Sequence, residues 1–395
     1  MKNSLFARKI QEIKNSQDYR TFTYLTKNSQ KFPIFQHKGQ DVINFCANDY
    51  LGMSINSSVI SKVSCSVAEF GCGSGGTRNI SGSSLSHLKL EKMVSEMHKC
   101  SSALVFNSAY MANLTALSVL GKVLPNICFL SDEKNHSSMI NGIISSKGEK
   151  HIFKHNDMMH LEEVLASISK EKNVVIAFES VYSMNGNVAK IEEIVNLAKK
   201  YNAMTYIDEV HAVGLYGKNG FGMLEEIGLE GKVDIINGTF AKGYGIIGGY
   251  VAGSEDVIDC IRSLGSGFIF TTSMPSAFCE GVMESIKIVS ENFELRAKFK
   301  ENVTYLRKCL EENKIPFNKN ASHITTIIIG ITEKCKSIAQ NLLKNYGYYI
   351  QPINYPTVSK GEDVLRITVT PFHSHLQIEG LANALKLELE KYEND

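Results

Sequence analysis

The chain has 395 residues, 43% of them hydrophobic, and a formal net charge of +1. That balance describes a globular protein of one large and one smaller domain, without the basic field that nucleic acid or an anionic membrane would need. Nine cysteines, scattered and with no CxxC pair, favour reduced thiols in a cytoplasm over disulfides or a zinc site, and no run reaches the length of a membrane span.

Residues 1–40 read as an N-terminal arm: a helix, then a stretch leading into DVINFCANDYLGM. The first residues mix charges, with neither the apolar core of a secretory signal nor the acid-free character of a transit peptide. SSVISKVSCSVAEF has helical spacing and is followed by GCGSGG at Gly71–Gly76. The hexapeptide matches G-x-G-x-x-G, but a dinucleotide fingerprint needs a strand before the glycines and a helix opening at them. Here a helical pattern precedes and the turn residues TRNISGSS follow, so a loop lining some other site is expected. From about 85 to 275, helices alternate with the short apolar strands NICFLSD, NVVIAFES, AMTYIDE, VDIINGT, GGYVAGS and FIFTTS. This is the pattern of an α/β domain built on a mostly parallel sheet. Residues near 280–314 read as one long helix that marks a boundary. ITTIIIGI, the helix SIAQNLLKNYG, YYIQPI, VLRITVTP and a last amphipathic helix then fit a smaller α+β domain. The expected division is an arm over 1–40, a large α/β domain over 41–280 and a small C-terminal α+β domain over 281–395.

Two of these strands carry the chemistry. One delivers Asp208, with His211 three residues on; another is followed by Lys242 in the small-residue tract Gly238-Thr-Phe-Ala-Lys-Gly-Tyr-Gly. A lone Asp after a strand is usually a cap and a lone Lys is usually solvated surface. The pair, however, matches the two groups that pyridoxal phosphate (PLP) requires. A lysine holds it as a Schiff base, and a carboxylate keeps the pyridine nitrogen protonated so that the ring draws off electrons. FNSAYMAN (Phe106–Asn113) leads from an apolar stretch into a helix, so Ser108 is either a simple N-cap or part of a phosphate cradle. His136 lies in a loop after a strand, where an imidazole can stack on a ring or simply face solvent. Ser183 and His211 also follow strands and could hydrogen-bond a phenolic oxygen. Thr271 and Thr272 suit a phosphate or a turn equally. Arg366 stands in the otherwise apolar VLRITVTP, where a buried guanidinium needs an anion, and a substrate carboxylate is a candidate. The remaining histidines (His87, His98, His151, His155, His160 and His323) show no metal-ligand spacing with carboxylates, and no metal is expected.

Together these segments resemble the α-oxoamine synthases, PLP enzymes of fold type I (aspartate aminotransferase-like), from about Tyr19 to the end. The broad pattern is met by NDYLG, the glycine loop with HLKLE after it, Asn135-His136, IDEVHAVG, GT..K and LRI. More discriminating are YRTF (19–22), GGTRNISG (75–82), EKHIFKHND (149–157), FESVYSMNG (178–186), GFIFTTS (267–273) and YPTV (355–358), which are similar to the branch that makes 5-aminolevulinate from glycine and succinyl-CoA. The resemblance implies that Lys242 forms the Schiff base, Asp208 meets the pyridine nitrogen, His136 stacks on the ring, and Ser183 and His211 contact the phenolic oxygen. Ser108, Ala109, Tyr110 and Thr239 would hold the phosphate, joined by Thr271 and Thr272 of a partner subunit, so that a homodimer is implied. Arg366 would bind the glycine carboxylate, and Arg20 and Thr77 the distal carboxylate of the succinyl group. Asn48, Ser131, Lys150 and Thr357 would lie in the acyl-CoA site. Departures are GTFAKGYG where the family more often has GTLGKAFG, Cys72 in the glycine loop and Lys134 before Asn135-His136. Two other readings are a relative with a different acyl-CoA or amino acid, and a catalytically dead structural member.

Overall fold

The structure is a computed structural model that describes residues 2–16 and 18–392. Among these the strands are β1 (Thr26–Lys27), β2 (Ile34–His37), β3 (Gln40–Asn44), β4 (Ser102–Phe106), β5 (Ile127–Asp132), β6 (Glu149–Phe153), β7 (Asn173–Glu179), β8 (Met204–Asp208), β9 (Ile235–Thr239), β10 (Gly249–Gly253), β11 (Thr325–Ile328), β12 (Tyr348–Tyr349), β13 (Pro352–Ile353) and β14 (Val364–Ile367).

The chain divides into two compact units. One, Asn48–Ser183 with Asn187–Arg296, contains a seven-stranded sheet in the order β4-β10-β9-β8-β7-β5-β6. Strands β5 to β9 run parallel, and β10 runs antiparallel between β4 and β9. Interior strands of a parallel sheet covered on both faces bury nearly all their residues, which is why β7 and β8 read as near-continuous apolar runs rather than alternations. The core lies where Leu104, Phe106, Phe129, Val175, Tyr206, Ile235 and Val251 of the sheet meet Ala112, Ala116, Leu117 and Leu120 of the helix Ala109–Val123. These packed strands fix the positions of the residues at their C-terminal ends.

The other unit takes the residues before Asn48, Met184–Gly186 and those from Ala297 on. It contains a sheet in the order β1-β2-β3-β12 and a second in the order β11-β14-β13. Its last helix, His375–Glu390, opens on a capping box: the Ser374 hydroxyl accepts from the Gln377 N–H while the Gln377 side chain accepts from the Ser374 N–H.

Three expectations change. FIFTTS is not a strand: Ser266–Ile269 is a helical turn, and Thr271 and Thr272 follow in irregular chain. Aromatic and β-branched residues mimic a strand here, but Phe268 packs on Phe106 with ring centroids 5.6 Å apart. Gly265 and Gly267 lie so close to Thr115 that a Cβ on either would meet it at 2.5 and 2.2 Å. The long helix near 280–314 is two helices, Ser276–Glu291 and Phe293–Glu312, parted at Asn292. SALVF and EKHIF, absent from the expected strands, form β4 and the edge strand β6. The glycine run Gly71–Gly76 follows the helix Ser57–Phe70 and precedes only a four-residue helix, which removes the dinucleotide reading.

Candidate active site

Strands β7, β8 and β9 end in a polar row, because their register sets Glu179 beside Asp208 and Asp208 beside Asn237. All three are buried. Asp208 Oδ2 accepts from Asn113 Nδ2 at 2.6 Å and Asn237 Nδ2 at 3.2 Å, while Oδ1 accepts from the Val210 N–H at 2.8 Å. A carboxylate offers about four acceptor sites. Three donors therefore hold Asp208 in a fixed orientation and leave room for one more. Asn113 is itself oriented by the Tyr206 hydroxyl, which donates to its Oδ1 at 2.8 Å.

Lys242 is half-buried in the turn after β9. Its loop lies against the one that follows Asp208 only because two glycines meet there. Gly214 has φ +90°, and a Cβ on it would lie 2.7 Å from the Cα of Gly243. The Ser108 hydroxyl caps the helix Ala109–Val123, accepting from the Met111 N–H at 3.3 Å. Ser108 bridges to Gly248, whose carbonyl accepts from the Thr239 hydroxyl at 3.1 Å. A Cβ on the next residue, Gly249, would lie 2.2 Å from the Ala109 nitrogen. Strand β10 thus draws together Ser108, Ala109 and Thr239 at a helix start whose first N–H groups lack intrahelical acceptors.

His136 Nδ1 lies 2.7 Å from the Ser138 hydroxyl, which also accepts from Asn113 Nδ2 at 3.0 Å, and its ring meets Tyr110 edge-on at 6.1 Å. Burial lowers the His136 imidazole pKa, aided by the Lys242 charge and opposed by Asp208, so the neutral ring is favoured. The Ser183 N–H donates to Glu179 Oε2 at 3.3 Å. His211 is buried, with Nδ1 2.7 Å from the Tyr50 hydroxyl, which in turn donates to Asn48 Oδ1 at 3.1 Å. Asn113, Asn237, Glu179 and Tyr50 are the residues that sequence reasoning missed. An asparagine inside an apolar helix was the signal for the first; Tyr50 stood in NDYLG without an assigned task.

The other expected site residues divide between the units. Thr77 caps the short helix Arg78–Ser81, accepting from the Ile80 N–H at 3.3 Å, so it has a structural task that the loop reading did not foresee. Arg78 beside it pairs with Glu91, which also accepts from the Val105 N–H at 3.0 Å. Ser131 is buried on β5 and accepts from Asn135 Nδ2 at 2.9 Å, while Lys150 is exposed on β6. The Thr272 carbonyl accepts from Asn107 Nδ2. In the other unit, exposed Arg20 donates from Nη2 to Thr357 Oγ at 2.8 Å, 337 residues away in sequence. Arg366 is buried on β14 opposite Thr326. Two histidines read as ungrouped do meet carboxylates: His155 lies 2.9 Å from Asp132, and His151 lies 2.8 Å from Glu149 with Cys128 close by. Spacing hid the second group because Cys128 is on β5 and its companions on β6, where Lys172 already pairs with Glu149.

A family model for aminotransferase class I and II matches residues 40–385. The 5-aminolevulinate synthase of Rickettsia felis is 45% identical over 97% of this chain and 92% of its own length. That of Rhizobium meliloti is 44% identical over 97% and 96%. The chain belongs to the 5-aminolevulinate synthase family. A variant of the serine palmitoyltransferase of S. paucimobilis, solved with a PLP–myriocin aldimine bound, superimposes with a TM-score of 0.91 at 27% identity over 99% of this chain and 98% of that one. The fold is that of the PLP-dependent fold type I enzymes, and PLP is the cofactor. The residues present fit it: the open acceptor position on Asp208 suits a pyridinium N–H, and the capped helix start beside Thr239 suits a phosphate.

Proposed function

We propose that this protein condenses glycine with succinyl-CoA to give 5-aminolevulinate, CoA and CO2, the entry step of tetrapyrrole and haem synthesis. Bound PLP would supply the electron sink for the carbanion that forms at the glycine Cα. Asp208 would hold a proton on the pyridine nitrogen, supported by its burial and its three fixed donors. Lys242 would anchor the cofactor and then, through Nζ, take the Cα proton. His136 would cover one ring face with a neutral imidazole, and Ser183 and His211 would bond the phenolic oxygen. Ser108, Ala109, Tyr110 and Thr239 would seat the phosphate. Thr271 and Thr272 of a partner subunit would join them, in a cytoplasmic homodimer.

Arg366 would take the glycine carboxylate, since a buried guanidinium on an apolar strand is stabilised by an anion. Asn48, Ser131 and Lys150 would lie along the acyl-CoA. The observation that carries the choice of acyl donor is the Arg20–Thr357 hydrogen bond. It holds an exposed guanidinium fork in one pose, a geometry suited to a carboxylate. Thr77 would share that carboxylate. An alkyl acyl-CoA would give Arg20 no partner, which weighs against the relatives that use one. The test is turnover of glycine with a panel of acyl-CoAs, following thiol release and 5-aminolevulinate. Succinyl-CoA is expected to lead; turnover confined to uncharged acyl chains would overturn the reading.

A further inference from the structure

Glu179 is a buried acid to which the reaction above gives no task. It ends β7 in register with Asp208 on β8, so two carboxyl groups face the same sheet surface one strand spacing apart, about 4.8 Å between backbones. Their surroundings differ sharply. Asp208 accepts three hydrogen bonds, while Glu179 Oε2 accepts one long bond from the Ser183 N–H and Oε1 has no partner among the described residues. Two buried carboxylates so close do not both ionise, and the charge settles where donors stabilise it. An unpartnered hydroxyl is far cheaper to bury than an unpartnered charged oxygen.

We propose that Glu179 is a positioning residue that works as a neutral carboxylic acid, steadying the Ser183 loop while leaving Asp208 the single negative charge beneath the cofactor. Other groups facing Glu179 act in the same direction. Burial raises its carboxyl pKa well above the ordinary value, Asp208 and then Asp132 add to this, and only the Ser183 hydrogen bond and the nearby His136 N–H, which falls short of a full hydrogen bond, oppose it. Those same two N–H groups belong to the segments carrying the ring-stacking imidazole and the serine hydroxyl. A second full charge here would compete with Asp208 for the pyridinium proton and would change where that proton sits.

The proposal rests on the PLP reading of the site, and its test separates the two. Wild type, Glu179→Gln and Glu179→Ala are compared as holoenzymes and after removal and re-addition of PLP. Glutamine keeps the shape and the acceptor for the Ser183 N–H but cannot ionise. It is expected to bind PLP within about threefold of wild type, with an unchanged circular dichroism of the bound cofactor. Alanine is expected to weaken PLP by about tenfold or more and to alter that signal. Infrared spectra should show the carbonyl stretch of a protonated carboxylic acid in wild type that glutamine removes. A glutamine variant that loses PLP as badly as alanine, or an infrared spectrum that glutamine leaves unchanged, overturns the neutral-acid role. Should the alanine variant not fold, the glutamine comparison and the infrared band still decide. Wild type that takes up no PLP would instead overturn the reading of the site itself.

Discussion

The Tyr50 hydroxyl stands 2.7 Å from Nδ1 of His211, joining the NDYLG turn to the loop after β8 across 161 residues of sequence. The same hydroxyl reaches Asn48 Oδ1 at 3.1 Å, so it is held in place and fixes the direction in which the His211 ring faces. Tyr50→Phe removes that direction. Loss of one such bond costs about 1 kcal/mol, roughly fivefold in kcat/KM. Steady-state kinetics should show it with melting temperature nearly unchanged; an unaltered kcat/KM would mean that His211 needs no orienting.

Asp208→Asn keeps the shape and removes the charge. It also sets an amide among the Asn113 and Asn237 amides, so buried donors face one another. A lost buried charge partner costs about 3–5 kcal/mol, on the order of a hundredfold or more. Exchange of the glycine α-proton with solvent is the direct readout. Asp208→Glu should lose less than Asp208→Asn, and the reverse order would refute the charge argument.

Arg20→Leu should lower kcat/KM for succinyl-CoA by roughly ten- to a hundredfold, from loss of a charge-assisted contact worth about 1.5–3 kcal/mol. Butyryl-CoA, of equal length but uncharged, should lose far less. Thr357→Val releases the arginine without removing it and should give a smaller loss in the same direction. An unchanged ratio between the two donors would show that Arg20 does not read the carboxylate.

Gly214→Ala should destabilise the fold. The position has φ +90°, and the new methyl would press on Gly243, with strain of about 1–3 kcal/mol from the backbone alone. Because the pressure falls on the lysine loop, PLP affinity should drop together with melting temperature. A variant with unaltered melting and affinity would mean that the loops part without consequence.

His98 is buried against the Tyr250 hydroxyl at 2.8 Å, and burial pushes its imidazole down to about 4. An unfolded histidine titrates near about 6.5. Between those values the unfolded chain binds a proton that the native chain refuses, so His98 withdraws stability as pH falls. His98→Gln stays neutral throughout. The stability of wild type relative to this variant should therefore drop by about 2 kcal/mol between roughly pH 7 and pH 5 in urea unfolding. A constant difference would show that His98 is not held neutral.

The placement of Asp208 at a strand end and of Lys242 in the turn after one was legible because strand ends are local facts: an apolar run stops and a polar residue follows. What holds Asp208 was not, since Asn113 lies 95 residues away and Asn237 on a neighbouring strand. Side-chain partners across a parallel sheet depend on strand order, which no local pattern encodes. FIFTTS failed for a related reason: packing of Phe268 and two glycines against one helix outweighs β-propensity over a few residues. Thr77 was the opposite case, with a nearby capping task set aside for a distant one.

Strand β10 runs against its neighbours and sits between β4 and β9, so the Ser108 turn and Thr239 acquire a common partner only after residues 248–253 are in place. During synthesis, the helix start proposed to seat the phosphate thus lacks this partner until β10 has emerged. It waits on closure of a loop spanning more than a hundred residues of chain, the slow class of contact.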